Sequence, residues 1–208
     1  MAETVALFGG TFDPVHLGHL ITARAVAERC GFERITLVPA AAPPHKQGPR
    51  ATGAERMDML RLAIEGDPLL DICDLELGRT GLSYTYDTLK AVRAARGPGA
   101  RLHWIIGADM LDGLHTWHRA GEVLNLARVV VAARPPWNER IDEILAGLRG
   151  RLGANHVESL RRGLVTTPLI DISSTDIRRR AAEGRPIRYL VPETVRAYIE
   201  TKGIYRSE

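Results

Sequence analysis

The sequence contains few cysteines, few aromatic residues and no long apolar run. The only two cysteines among its 208 residues, Cys30 and Cys73, lie far apart and lack the Cys-x-x-Cys spacing of metal and redox sites. We therefore expect free thiols. No stretch approaches the roughly 20 apolar residues that span a bilayer, and the chain begins with a strand-like segment instead of a signal peptide. These absences predict a cytoplasmic protein without a membrane partner.

The charges form no large patch of one sign. The 28 Lys and Arg residues are interspersed with 25 Asp and Glu residues, which leaves a formal net charge of +3. Nucleic-acid-binding proteins concentrate cations on one surface or interleave them with aromatic rings. Aromatic residues make up only 5% of this chain, and no segment shows that pattern. The composition favours small phosphorylated ligands and predicts no nucleic-acid partner.

Apolar runs of strand length alternate with helical patterns. We predict strands at residues 5–8, 35–38, 72–77, 102–106 and 129–133, and helices at residues 20–29 and 56–64. In the first helix, Ile21, Ala25 and Val26 share the apolar face. Strands that alternate with helices predict an α/β fold, a Rossmann-like doubly wound parallel sheet. Ligands of such sheets bind beyond the carboxyl ends of the strands.

The chain length predicts one domain, residues 1–208, with a small C-terminal helical subdomain at residues 185–208 after a core of residues 1–184. Thr52 and Glu55 predict a capping box before the second helix, Gly31 is placed to end the first, and Pro192 suits the first turn of the last. Residues 39–53, rich in Pro, Gly and Ala, predict a functional loop. Residues 138–162 are helical in pattern and charged, without a functional motif.

The segment GGTFDPVHLGH, residues 9–19, follows the first predicted strand directly. Gly9 and Gly10 would let backbone N–H groups approach an anion. His16 and His19 are three residues apart and therefore neighbours on one face of a helix, near the helix end that favours negative charge. Gly18 between them would leave a flat surface for a nucleobase. The pattern favours a site that handles phosphate.

Two other interpretations of the histidine pair stay open. The pair could ligate a metal ion with Asp13, although no zinc-site spacing is present, or it could be purely structural. Asp13 and Pro14 predict the N-cap and first position of the helix that carries the pair.

A second segment, ISSTDIRRR at residues 172–180, extends the pattern. GGTFDPVHLGH resembles the GxFxPxHxGH signature of the nucleotidyltransferase superfamily, and ISSTDIRRR resembles its ISSTxIR signature. Within that superfamily the chain is similar to bacterial nicotinate-nucleotide adenylyltransferases, also through PPHK (43–46), SYTYDTL (83–89), IIGADML (105–111) and HTWHR (115–119). The resemblance spans essentially the whole chain.

The resemblance implies an enzyme that transfers AMP from ATP to nicotinate mononucleotide and releases pyrophosphate, in NAD biosynthesis. The attacking phosphate needs no activating base, because a phosphate monoester with a second pKa near about 6 is largely dianionic at neutral pH. Catalysis would rest on positioning and on neutralising charge. The resemblance implies His16, His19 and Arg178 as catalytic residues, with Mg²⁺ bound through the ATP phosphates and not by protein side chains.

The resemblance also implies an ATP site built from the two signatures and two strand ends. Ser173 or Ser174 would cap the helix that carries Arg178, and Arg178 would contact phosphate bidentately. Arg179 and Arg180 are interpreted as solvated surface charge. The implied ATP-binding residues are Gly9, Gly10, Thr11, Phe12, His16, Gly18, His19, Gly107, Asp109, Arg134, Ser173, Ser174, Thr175 and Arg178.

Further segments bear on the mononucleotide that would be adenylylated. Thr85, at a predicted helix start, could bind a carboxylate or simply cap its helix. Trp117 could stack on the pyridinium ring or belong to the core, as we expect of Trp104. Lys46 could contact phosphate or remain solvated. The implied mononucleotide-binding residues are His45, Lys46, Thr85, Trp117 and His118.

The sequence departs from relatives at His115, where they often carry proline, and at Pro136 and Trp137, where a Gly-containing turn is commoner. These departures concern local loop shape and base contacts near Arg134. The alternatives are a superfamily member that acts on nicotinamide mononucleotide, phosphopantetheine or glycerol phosphate, and a non-catalytic nucleotide sensor. The partners expected are the small-molecule substrates, and the sequence is also compatible with a homo-oligomer.

Overall fold

The computed structural model describes residues 2–42, 48–133 and 137–206, without the side chains of residues 137–139. Within these residues, six strands form one sheet in the order β3-β2-β1-β4-β5-β6, and every neighbouring pair is parallel. The strands are β1 (Thr4–Gly10), β2 (Ile35–Pro39), β3 (Leu70–Ile72), β4 (Arg101–Gly107), β5 (Arg128–Ala133) and β6 (Leu164–Thr166). The order reverses between β1 and β4, so the chain leaves a crevice at the carboxyl ends of these two strands.

Eight α-helices lie in the described part of the chain. They are α1 (Leu17–Cys30), α2 (Gly53–Ile64), α3 (Thr85–Arg96), α4 (Ala120–Leu126), α5 (Trp137–Leu152), α6 (Ala154–Arg162), α7 (Ser174–Ala182) and α8 (Glu193–Lys202). Two short 3-10 turns, Ala108–Met110 and Asp112–Thr116, follow β4. No described helix combines the length and apolar character that crossing a bilayer requires.

Side chains of the central strands alternate between two apolar cores, one on each face of the sheet. In β1, Ala6 and Phe8 join the core that contains residues of α1, α2, α7 and α8. Val5 and Leu7 join the core that contains residues of α3 to α6. The period of two along a strand therefore buries both faces, as a doubly wound sheet requires. The predicted α/β Rossmann-like fold is confirmed.

Local signals in the sequence set several helix ends. Thr52 caps α2, and its hydroxyl accepts from the Glu55 N–H at 3.2 Å while the Thr52 N–H donates to the Glu55 carboxylate at 2.7 Å. Gly31 ends α1 in the left-handed conformation, with φ of 67°. These two predictions are confirmed. Pro192 lies one residue earlier than predicted, at the N-cap of α8.

The edges of the sheet differ from the prediction. Residues 72–77 were expected to form a strand, but β3 ends at Ile72, and the Leu77 N–H donates to the Asp74 carbonyl in a turn. Asp74 favours this turn because aspartate stabilises compact turn conformations. The sequence prediction also missed β6, whose three residues are too few to show a period. Ile21 does not belong to the apolar face of α1, since it is exposed.

The C-terminal helix α8 packs on α2. The Thr194 hydroxyl donates to the Leu62 carbonyl at 3.0 Å, and the Tyr198 hydroxyl donates to the Asp58 carboxylate at 2.9 Å. Val195 and Ile199 enter the same core as β1 and β2. The two cysteines are free and half-buried.

Candidate active site

A cavity of about 790 Å³ opens at the crevice between β1 and β4. Every site residue predicted from the sequence that the structure describes lines this one cavity. They are Gly9, Gly10, Thr11, Phe12, His16, Gly18, His19, Thr85, Gly107, Asp109, Trp117, His118, Ser173, Ser174, Thr175 and Arg178. The remaining three, His45, Lys46 and Arg134, lie outside the described residues.

The two histidines stack at the start of α1. Their ring centroids lie 3.6 Å apart with an interplanar angle of 24°. His16 is the N-cap residue of α1, and its N–H donates to the Nδ1 atom of His19 at 3.3 Å. Because Nδ1 of a neutral imidazole can accept only when the proton is on Nε2, the Nε2 atom of His19 is a donor. The phenyl ring of Phe12 packs edge-on against His19, with centroids 4.9 Å apart.

Asp13 and Pro14 do not start the helix, so this prediction is wrong. The helix begins at Leu17, and the Asp13–Pro14 bond is cis. The Asp13 carboxylate instead accepts the N–H groups of Arg50 at 2.8 Å and Ala51 at 3.0 Å. The hydroxyl of Tyr205 donates to it at 2.7 Å. A buried carboxylate needs such donors, and these come from distant parts of the chain that no capping pattern reveals.

Helix α7 places the second signature against the first. The Ser173 hydroxyl accepts from the Asp176 N–H at 3.2 Å and caps the helix, as predicted. The Ser174 hydroxyl donates to the Pro14 carbonyl at 2.9 Å. Arg178 donates to the Asp13 carbonyl at 2.7 Å and to the Thr175 hydroxyl at 3.2 Å. The N-terminal ends of α1 and α7 therefore meet at the cavity, where their N–H groups and dipoles favour an anion.

Arg179 and Arg180 pair with Asp176 on the same helix. The Arg180 Nε atom lies 2.7 Å from the Asp176 carboxylate, and Arg179 contacts the other carboxylate oxygen. These arginines hold the pKa of Asp176 below its usual value. Neither arginine lines the cavity. The geometry agrees with the interpretation of both as surface charge.

Arg56 is a buried cation beside the site that the sequence interpretation missed. It is 1% exposed, and its Nη1 atom donates to the Thr11 carbonyl and the Ala40 carbonyl, each at 2.7 Å. Burial lowers the pKa of Arg56, and the neighbouring Asp13 opposes that shift. Arg56 thereby joins the loop after β1 to the loop after β2. Its position four residues before Leu60, on the apolar face of α2, was the available signal.

The opposite wall of the cavity carries those residues assigned to the mononucleotide that the structure describes. Thr85 is the first residue of α3, as predicted. Trp117 is half-buried after the second 3-10 turn, where it lines the cavity and packs against the core. Trp104 is 4% exposed and belongs to that core, and it also reaches the cavity wall. The ring of His118 lies 4.5 Å from that of Tyr84, centroid to centroid. Glu76 and Ser83, which the sequence interpretation missed, also line this wall.

Two glycines of the first signature allow rings to pack close to the backbone. A Cβ atom on Gly9 would lie 2.3 Å from the Trp104 ring, and one on Gly18 would lie 3.0 Å from the His16 ring. The first distance is far below van der Waals contact. These glycines therefore have a packing role in addition to any contact with a ligand.

The parallel sheet and the anion-favouring crevice at its switch point define a Rossmann-like nucleotide-binding protein. The model of the cytidylyltransferase-like family matches residues 7–180. The chain therefore belongs to the cytidylyltransferase-like family.

Several relatives and solved structures are similar over nearly the full length. A protein of Serratia proteamaculans named "Probable nicotinate-nucleotide adenylyltransferase" is 42% identical, with 97% of this chain and 94% of that protein covered. One of the same name from Pectobacterium atrosepticum is 41% identical, with coverage of 99% and 100%. The nicotinic acid mononucleotide adenylyltransferase of Plasmodium falciparum, complexed with NaAD, has a TM-score of 0.78 at 18% identity, with coverage of 98% and 97%. At that identity the likeness concerns the fold.

Proposed function

We propose that the protein transfers AMP from ATP to nicotinate mononucleotide and forms nicotinate adenine dinucleotide and pyrophosphate, a step of NAD biosynthesis. One observation carries the proposal. A single cavity joins the stacked histidines and Arg178 to Thr85 and Trp117 on the opposite wall. The relatives named nicotinate-nucleotide adenylyltransferase at about 40% identity support it. Phosphopantetheine and glycerol phosphate have no aromatic ring that could stack on Trp117 in this wall.

The proposed reaction is a direct in-line displacement. An oxygen of the mononucleotide phosphate attacks the α-phosphorus of ATP, the new P–O bond forms, and the bond to the pyrophosphate oxygen breaks with its electron pair on that oxygen. No general base is required because the attacking phosphate is already ionised. The Nε2–H of His19 and the guanidinium of Arg178 stabilise the negative charge that develops. The N-terminal ends of α1 and α7 add to this stabilisation.

Mg²⁺ is proposed to enter with ATP, bound through its phosphates. In residues 2–42, 48–133 and 137–206, no three His, Cys, Asp or Glu side chains converge in a metal-binding cluster. The Asp13 carboxylate already accepts three hydrogen bonds. The imidazole, guanidinium and hydroxyl groups at this end suit phosphate oxygens better than a hard cation. When bound, Mg²⁺ supplies further neutralisation of the triphosphate charge.

We propose roles for the other cavity residues toward ATP and toward the mononucleotide. Gly107 and Asp109 at the end of β4 suit the nucleoside of ATP, since a carboxylate accepts from ribose hydroxyls. Thr85 is proposed to bind the carboxylate of the pyridine ring, and Trp117 to stack on that ring. We also propose that residues 1–208 form one domain and that the protein acts in the cytoplasm.

The test measures pyrophosphate release with ATP and Mg²⁺ against four acceptors in parallel. These are nicotinate mononucleotide, nicotinamide mononucleotide, phosphopantetheine and glycerol phosphate. Fast release with nicotinate mononucleotide alone is the expected result. Release with another acceptor would keep the mechanism and change the substrate, and silence with all four would favour a nucleotide sensor.

A further inference from the structure

Glu76 is a buried carboxyl group in the cavity wall that the proposed reaction does not use. It is 4% exposed and lies between β3 and α3. Transfer of a carboxylate from water into a protein interior costs free energy unless hydrogen bonds replace the lost solvation. The hydrogen-bonding groups around Glu76 therefore indicate which part of the chain the buried carboxylate holds in place.

One donor comes from within α3. The Thr88 hydroxyl donates to the Glu76 Oε1 atom at 2.6 Å. The same hydroxyl oxygen accepts from Arg79 Nη1 at 3.1 Å. The Tyr84 carbonyl is a second acceptor for its only proton, but at 3.4 Å it is much farther away than Glu76. Arg79 also donates to the Asp87 carbonyl at 3.2 Å. Glu76 and Arg79 thus hold the first turns of α3 from one side.

A second hydroxyl near Glu76 belongs to the residue before the N-cap of α3. The Ser83 hydroxyl oxygen accepts the N–H groups of Ala41 at 3.0 Å and Ala42 at 3.3 Å. Accepting these two N–H groups leaves the Ser83 hydroxyl proton available, and Ser83 and Glu76 line the same cavity. Burial raises the pKa of Glu76, whereas Thr88, Ser83 and Arg79 oppose the rise. Glu76 is therefore linked directly to α3 through Thr88, and Ser83 ties the residue before the N-cap of α3 to the loop after β2.

These contacts bracket the start of α3. Ser83, bound to Ala41 and Ala42, precedes Thr85, and Thr88, bound to Glu76, follows it, so the chain is held on both sides of Thr85 and Glu76 provides the contact on the α3 side. We propose that Glu76 is a positioning residue that sets the affinity for the acceptor mononucleotide by fixing the Thr85 end of α3. The proposal rests on the proposed function, because it assumes that the pyridine carboxylate binds at Thr85.

The experiment measures steady-state rates with each substrate varied at saturating concentrations of the other. Thr88→Val removes the hydroxyl at nearly constant shape, Thr88→Ser restores it, and Glu76→Gln removes the charge. We expect Thr88→Val and Glu76→Gln to raise the KM for nicotinate mononucleotide about tenfold, with the KM for ATP within about twofold of wild type. Thr88→Ser should rescue the KM. Glu28→Gln, the same change at an exposed position of α1, is the matched control.

The outcomes separate positioning from stability. A lowered Tm in Thr88→Val with both KM values unchanged, or a parallel rise of both KM values, would overturn the proposal. If Glu76→Gln does not fold, the comparison of Thr88→Val with Thr88→Ser tests the proposal by itself. A wild-type protein that forms no dinucleotide from nicotinate mononucleotide would refute the proposed function and this inference together, whereas active wild type with an unaffected Thr88→Val would refute only this inference.

Discussion

His19 has two ring nitrogens with different tasks. Its Nδ1 atom accepts the His16 N–H at the start of α1, so the proton is on its Nε2 atom, and His19 lines the cavity. An alanine at this position would remove the cap contact and the donor together. Asparagine separates them, because its side-chain amide can accept near the Nδ1 position but does not reach the Nε2 position.

We predict that His19→Asn lowers kcat by about 100-fold or more, the effect of removing one donor that stabilises transition-state charge. Its KM for ATP and its Tm should remain close to wild type. Rates at saturating ATP and thermal unfolding measure both quantities. Turnover near that of wild type would show that His19 only organises the helix start.

Asp13 shows why single residues in a site are hard to interpret from sequence. An aspartate before a proline is typical of a helix start, yet its carboxylate serves backbone groups of Arg50 and Ala51 and the Tyr205 hydroxyl. Arg56 and Glu76 could not be identified from the sequence for the same reason. Their partners are separated from them along the chain or lie on other elements, so no local pattern encodes the contact.

Elements were more predictable than residues. The central strands β1, β2, β4 and β5 are largely apolar because both of their faces are buried. The edge strands β3 and β6 have three residues each, and neither length nor period distinguishes them from loops. The predicted site residues that the structure describes nevertheless lie together in one cavity, because most of them follow central strands or belong to the two signatures.

The capping box at the start of α2 leads to a prediction about the stability of the protein. The Thr52 hydroxyl and the Glu55 carboxylate exchange hydrogen bonds at an exposed helix start. Thr52→Ala should lower the free energy of unfolding by about 1 kcal/mol, which corresponds to a fall in Tm of about 2–4 °C for a chain of this size. Thr52→Ser, which keeps the acceptor, is the matched control. Equal Tm values for the two variants would show that the cap contributes nothing.

Across the whole fold, Tyr205 near the C-terminal end contacts Asp13 in the first signature. The Tyr205 hydroxyl and the Asp13 carboxylate are 192 positions apart in the sequence and 2.7 Å apart in space. Tyr205 is 7% exposed. Burial and the neighbouring Asp13 raise the pKa of its hydroxyl, and Arg178 and Arg56 oppose the rise. The same carboxylate accepts from the loop before α2, and the Asp13 carbonyl accepts from Arg178.

We predict that Tyr205→Phe lowers the free energy of unfolding by about 1.5–3 kcal/mol at neutral pH, the range for a hydrogen bond to a charged group. Because folding raises the pKa of Tyr205, the folded protein keeps its proton more tightly than the unfolded chain does. The stabilisation is therefore complete below the unfolded tyrosine pKa of about 10 and is lost as the pH rises beyond it. The difference in stability between wild type and Tyr205→Phe, measured by denaturant unfolding, should shrink above that pH. Tyr189→Phe alters a hydroxyl on a side chain that is 81% exposed and should change little. A difference for Tyr205→Phe that stays constant across this pH range would contradict the assignment of the closing contact to a protonated hydroxyl on the Asp13 carboxylate.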